Sequence, residues 1–221
     1  MSNIKLAICG DSYMTTDQTG IHWTDQLPPD LHKKILAVGA CSNVLIANQV
    51  RYAVALGYDH VAVSFTRNSR FEFDRDSTHS LTVTPDLTLN EYYAKRWKHS
   101  IMSDAYPVEK TFVDHYYGLV ATDFLALQSY HVVLSTLNFL KTNNITFAYT
   151  LGGTELPDHV FKNMSIPNEL EQYLANKIST NLWDYPDPTL HGYHVYDRNW
   201  QDKFRQAVGE TLGITFVNIV L

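Results

Sequence analysis

Ile8-Cys9-Gly10-Asp11-Ser12-Tyr13 ends an apolar run abruptly in a glycine, a carboxylate and a hydroxyl. The run before it, Ile4 to Ile8, is short, apolar and partly β-branched, which suits a buried strand of a parallel sheet. Gly10 permits the sharp turn that follows, because a residue without a Cβ reaches backbone angles closed to the others. Ser12 then stands at the carboxyl end of the first strand, the edge at which open α/β sheets bind ligands. The competing reading is purely local: Ser and Asp are common helix caps, and in that role Ser12 does no more than start the next helix.

Outward from this corner the pattern repeats. Tyr13 to Gly20 is polar and turn-rich, and His22 to Leu27 reads as a short helix closed by Pro28-Pro29. Lys34 to Val38 is a second strand, ending at another glycine corner, Gly39-Ala40-Cys41-Ser42-Asn43. A helix follows over Val44 to Leu56 with Gly57 as its stop, then a third strand over Asp59 to Phe65. Strands alternating with helices in this way predict right-handed βαβ units and a parallel sheet. Further on, a helix from about Thr111 to Thr142 leads to a fourth strand, Ile145 to Thr150. Pro167 to Lys177 reads as one more helix. Asn199 to Leu212 is the final one, with Asn199 as cap and Gly213 as stop, and Ile214 to Leu221 adds a fifth strand at an edge.

The expected architecture is α/β: a three-layer α/β/α sandwich around a mostly parallel five-stranded sheet, in a single domain over 1–221. One segment, about 66–110, breaks the rhythm as an insertion. Thr66 to Leu87 is rich in charge, Ser and Thr and reads as a long loop over the cleft, and Leu89 to Met102 reads as a helix.

Bulk properties narrow the function. The chain has 221 residues and a formal net charge of −6 with both signs interspersed. That argues against a nucleic-acid surface, which needs clustered Lys and Arg. The local basic group Arg67, Arg70 and Arg75 is interleaved with Glu72, Asp74 and Asp76. The 2 cysteines, Cys9 and Cys41, exclude a disulfide framework and point to a reducing compartment, with both thiols read as small buried residues. Met-Ser-Asn-Ile-Lys runs straight into the first strand without a signal peptide, and no apolar run is long enough for a bilayer, so a cytoplasmic protein is expected. No Gly-x-Gly-x-x-Gly follows the first strand and no Walker-type Gly-Lys-Ser/Thr occurs, which counts against a nucleotide-binding domain.

A serine hydroxyl is a weak nucleophile, so catalysis at Ser12 requires an imidazole within reach, a group to orient it and donors for a developing oxyanion. The backbone N–H groups of Ser12 and Gly39 emerge at carboxyl ends of neighbouring strands. Asn43 or Asn68 offers a side-chain amide, and His191 or His194 offers the base. His191-x-x-His194 lacks a third ligand nearby and is not read as a metal site, and no cofactor is implied. Arg70 either recognises an anionic group or pairs with a neighbouring acid as loop scaffolding.

On these residues the chain resembles the SGNH (GDSL-like) hydrolases, whose sheet is flavodoxin-like. Gly10-Asp11-Ser12 is similar to the block that carries the nucleophile, and Gly39 with Cys41-Ser42-Asn43 to the block whose glycine N–H serves the oxyanion hole. The third block departs from the usual Gly-x-Asn-Asp turn. Thr66-Arg67-Asn68-Ser69-Arg70-Phe71-Glu72 looks instead like a Thr-x-x-x-Arg-Phe-Glu variant of phage and marine bacterial members, with Asn68 the positional match and Asn43 the reserve. The last block, Asp-x-x-His, is not reproduced cleanly. His194 fits by distance to the closing helix, His191 fits if Asp187 is the orienting acid, and Asp184 is a further acid.

The resemblance implies an esterase or acetylhydrolase that acts on a small-molecule or glycan ester. Asp11, Thr66 and Arg70 lie on the substrate side, no nucleic-acid or membrane partner is implied, and the oligomeric state is left open. The alternative is a catalytically inactive SGNH-fold binding module, virion-associated in the manner of phage members.

Overall fold

The computed structural model describes residues 4–16, 20–39, 41–68, 71–76, 79–83, 122–152, 154, 161–162, 165, 167–182 and 197–216. The expected helix at Leu89 to Met102, and Arg70, Asp184, Asp187, His191 and His194, lie outside the described residues.

Among the described residues four parallel strands form the sheet: β1 Lys5–Cys9, β2 His32–Ile35, β3 His60–Ser64 and, later in the chain, β6 Thr146–Thr150, in the order β2-β1-β3-β6. Lys5 pairs with His32 and Ile8 with Ile35 on one side of β1, while Leu6 pairs with His60 and Cys9 with Val63 on the other. His60 to Ser64 runs alongside Thr146 to Thr150. After β2 the chain crosses back over β1 to place β3, so chain order reverses at β1 and the β1/β3 boundary is a topological switch point.

The central strands are mainly apolar, from Leu6 to Cys9 and from Val61 to Val63, because both their faces are buried. Ala7 and Cys9, Val61 and Val63, and Phe147 and Tyr149 pack with Ile46, Val50 and Ala53 of α1 (Asn43–Ala55) and with Tyr130, Val133 and Leu137 of α2 (Thr122–Thr142). The alternate residues Leu6, Ile8, Ala62 and Ala148 face Phe204, Ala207, Val208 and Leu212 of α3 (Arg198–Leu212). Ala62 and Ala148 are small where Trp23 and Phe204 are large, and those two rings meet edge to face at 5.4 Å.

Local chemistry explains the helix ends. Ser42 caps α1, its hydroxyl accepting from Val44 N at 3.2 Å and Leu45 N at 3.4 Å. The cap of α3 is Asp197, which accepts from Trp200 N at 2.8 Å, and not the expected Asn199. Gly213 closes α3 in the left-handed region with a φ of 67°.

Four expectations are corrected. Among the described residues the sheet has four strands, not five: Ile214 to Phe216 form no strand and 217–221 lie outside the description. The outer edge of β6 is met instead by a single bridge from Lys177, with Ile178 N donating to Tyr149 O at 2.7 Å. His22 to Leu27 makes turns rather than a helix, because the His22 ring captures Thr24 and Pro28-Pro29 leaves no room to propagate. The expected helix over Pro167 to Lys177 is a 3₁₀ helix, Glu169–Asn176. Within the supposed loop from Thr66 to Leu87, β4 (Phe71–Asp76) and β5 (His79–Val83) form an antiparallel pair with Phe71 opposite Val83 and Phe73 opposite Leu81. No helix among the described residues is long and apolar enough to cross a membrane.

Candidate active site

The strand β1 ends at Cys9, and Gly10 turns the chain with a φ of 150°. A Cβ at this position would lie 2.5 Å from Met14 Cγ and 3.0 Å from Ser64 O, so the corner closes only around glycine. Asp11 then caps the 3₁₀ turn Ser12–Met14, its Oδ1 accepting from Tyr13 N at 3.1 Å. The capping role is therefore taken by Asp11, which leaves the Ser12 hydroxyl for other work. Ser12 is half-buried, and among the described residues its Oγ has no hydrogen-bond partner.

Hydrogen bonds beyond the end of β2 bring Gly39 to this serine. Leu36 N donates to Ile8 O at 2.8 Å and Val38 N to Gly10 O at 3.1 Å, which extends the β1–β2 ladder to the corner. A Cβ on Gly39 would stand 3.8 Å from Ser12 Cβ. The first two corners of the sequence are thus neighbours in space, at the carboxyl edge of the sheet.

Beneath Ser12 lies a buried polar network that joins three strand ends. Asp11 and Thr66 are fully buried, and Thr66 Oγ1 donates to Asp11 Oδ2 at 2.8 Å. Thr66 N donates to Asn43 Oδ1 at 2.7 Å, and Asn43 Nδ2 donates back to Thr66 O at 3.0 Å. The same Nδ2 lies 3.2 Å from Ser129 Oγ and 3.4 Å from Thr154 Oγ1, and Thr154 Oγ1 also donates to Thr66 O. Each such bond contributes roughly 0.5–1.5 kcal/mol net, but losing one partner in a buried site costs about 1–3 kcal/mol, so the network holds the corner more by penalty than by gain.

This placement changes two roles. Asp11 and Thr66, expected on the substrate side, are closed to solvent and support the corner from below. The carboxamide of Asn43, the reserve oxyanion donor, is engaged with Thr66, Ser129 and Thr154. Asn68 is half-buried in the segment after β3, where its C=O accepts from Ser129 Oγ at 3.5 Å.

His22 is the described imidazole nearest in sequence to the corner, and both its nitrogens are engaged. Nε2 lies 3.0 Å from Tyr13 O, which requires a proton on Nε2, so Nδ1 accepts from Thr24 Oγ1 at 2.7 Å and Thr24 N at 3.2 Å. That arrangement ties His22 into the turn as a structural residue. Cys9 and Cys41 are both free and buried, and burial, with Cys41 beside it, pushes the Cys9 thiol far above its usual range. Among the described residues no group of three metal-ligating side chains occurs.

Sequence reading missed Gln49, Ser129 and Thr154. The signal available for Gln49 was its place among the apolar Ile46, Ala47, Val50 and Ala53 of α1. A carboxamide is buried at such a position only when something inside needs its hydrogen bonds. No family model matches the chain and no curated protein matches it.

Proposed function

We propose that this protein is a serine hydrolase of the SGNH type, with a three-layer α/β/α fold, acting on an ester or O-acetyl group with Ser12 as nucleophile. The observation that carries the proposal is the meeting of Ser12 and Gly39 at the carboxyl edge of the sheet, beside the switch point between β1 and β3. In the proposed reaction Ser12 Oγ attacks the acyl carbon and its proton passes to an imidazole, His194 or His191, the latter oriented by Asp187. The negative oxygen of the tetrahedral intermediate is held by the N–H groups of Ser12 and Gly39 and by the Asn68 amide. Collapse expels the alcohol, which takes the proton from the imidazolium. Water, deprotonated by the same imidazole, then attacks the acyl carbon, and the bond to Ser12 Oγ breaks as Oγ takes the proton back from the imidazolium, releasing the acid. Asn68 is preferred over Asn43 because the Asn43 amide is committed to Thr66.

The test is covalent labelling of the full chain with a fluorophosphonate, located by peptide mass, together with hydrolysis of short p-nitrophenyl esters. Label on the Ser12 peptide, and loss of both labelling and turnover in Ser12→Ala, are expected. Alanine at the true base is expected to slow labelling by about 10²–10⁴-fold, which separates His191 from His194. Absence of label on Ser12 in a folded protein refutes the proposal and favours a binding module that keeps only the fold.

A further inference from the structure

Two carboxamides on α1 each grip both backbone groups of a single residue just beyond a strand end. Asn43 does this for Thr66 after β3, and Gln49 does it for Gly10 after β1: Gly10 N donates to Oε1 at 2.7 Å and Nε2 donates to Gly10 O at 3.2 Å. Each side chain stands in for the neighbouring strand where β1 and β3 part: its oxygen takes the N–H of Gly10 or Thr66, and its NH₂ adds a donor to the carbonyl of the same residue.

The two residues differ in what they need. Thr66 has a side chain held by Asp11, whereas Gly10 has none, and the same freedom that lets it adopt its φ of 150° leaves it the least restrained residue of the corner. The restraint comes from outside. Gly10 O accepts from Val38 N at 3.1 Å, Gln49 Nε2 at 3.2 Å and Cys41 Sγ at 3.3 Å, and Gln49 Nε2 lies 3.7 Å from Cys41 Sγ. This carbonyl belongs to the peptide that leads into Asp11-Ser12, so its plane sets the direction in which Ser12 N–H and Oγ leave the sheet.

We propose that Gln49 is a positioning residue for Ser12: without touching substrate, it locks the Gly10 peptide so that the serine hydroxyl and its N–H face the same reacting group. This rests on the hydrolase function proposed above. Gln49→Glu keeps the shape but, when ionised, presents a lone pair to Gly10 O; protonated, it recovers an O–H donor. Burial raises the pKa of a carboxyl, so both forms come within reach at about pH 5–9, and among the described residues Cys41 is a titratable group in contact with position 49. Gln49→Met removes the donor at every pH and controls for titration of that thiol.

The measured quantity is the rate constant for fluorophosphonate labelling of Ser12, as a ratio to wild type, on protein shown to be folded by circular dichroism. For Gln49→Glu the ratio is expected near unity at pH 5 and to fall about tenfold or more by pH 8.5, with Gln49→Met low throughout. Should either variant fail to fold, Cys41→Ala, which deletes one donor to Gly10 O, is expected to slow labelling about threefold, and Cys41→Ser to restore it. Variants that fold and label at the wild-type rate at all pH values overturn the assignment of Gln49 while leaving the hydrolase intact. A wild-type protein that never labels at Ser12 overturns both.

Discussion

Replacing Gly10 with alanine tests the construction of the corner most directly. The new methyl would lie 2.5 Å from Met14 Cγ, 3.0 Å from Met14 Cβ and 3.0 Å from Ser64 O, and the backbone would keep a φ of 150° that L-residues rarely adopt. Strained backbone of this kind costs about 1–3 kcal/mol. Overpacking against a fully buried Met14 costs a further 1–3 kcal/mol or so. The sum, about 2–6 kcal/mol, is a large part of the roughly 5–15 kcal/mol that holds a domain folded. A mid-range loss of about 4 kcal/mol lowers Tm by roughly 8–16 °C in a chain of this size.

The two contributions separate in a double-mutant cycle. Met14→Ala alone vacates a buried site at a cost of about 2–5 kcal/mol. In the double variant the methyl at position 10 no longer meets Met14 Cγ, the 2.5 Å contact, so the combined loss is expected to fall short of the sum by about 1–3 kcal/mol, while the backbone strain and the 3.0 Å approaches to the Cβ of residue 14 and to Ser64 O remain. Urea unfolding of the four proteins, followed by tryptophan fluorescence, supplies the numbers. Additivity within about 0.5 kcal/mol, or a Gly10→Ala protein as stable as wild type, would refute this account of the corner.

Gly39→Ala behaves differently, because among the described residues its methyl meets only Ser12 Cβ, at 3.8 Å. Stability is expected to change by less than about 1 kcal/mol while fluorophosphonate labelling slows about tenfold; equal labelling rates would remove Gly39 from the site. Thr66→Val deletes the donor to the buried Asp11 Oδ2 and is expected to destabilise by about 1–3 kcal/mol in urea, with Thr66→Ser closer to wild type; the opposite ranking would contradict the network. Burial tends to raise the carboxyl of Asp59, but hydrogen bonds from His60 Nδ1 at 2.7 Å and Lys5 N at 3.0 Å outweigh it and hold the group below its usual 3.8. A depressed folded value stabilises the fold above the ordinary carboxylate range and is lost as pH falls through the lower value. Asp59→Asn is therefore expected to lose less stability than wild type between pH 6 and pH 3, and an equal loss in the two proteins would rule the group out.

Much of the architecture was legible because its causes are local. The apolar runs ending at Cys9 and Thr150, the stop at Gly57 and the αL glycine at 213 each follow from residues within a turn of one another. The antiparallel pair of β4 and β5 was missed although Phe71, Phe73, Leu81 and Val83 alternate. Glu72, Asp74, Arg75 and Asp76 lie among them and read as loop, and only pairing shows the two segments to be strands. A fifth strand was expected from Ile214 to Leu221, of which Ile214 to Phe216 are described and form none, and the outer edge of β6 has another partner. At β6 that partner is Lys177 and Ile178.

The glycine, carboxylate and hydroxyl of the first corner, and the glycine of the second, could be picked out from the sequence because each carries its own conformational or chemical signature. Which polar groups serve them could not. Asn43 meets Thr154 across 111 residues and Gln49 meets Gly10 across 39, and a carboxamide on a helix gives no local sign of the strand end it will satisfy. Local propensity therefore determined where the chain turns. The burial of backbone groups where β1 and β3 diverge decided, only in three dimensions, that Asp11 and Thr66 support the serine from beneath and that α1 restrains Gly10 and Thr66.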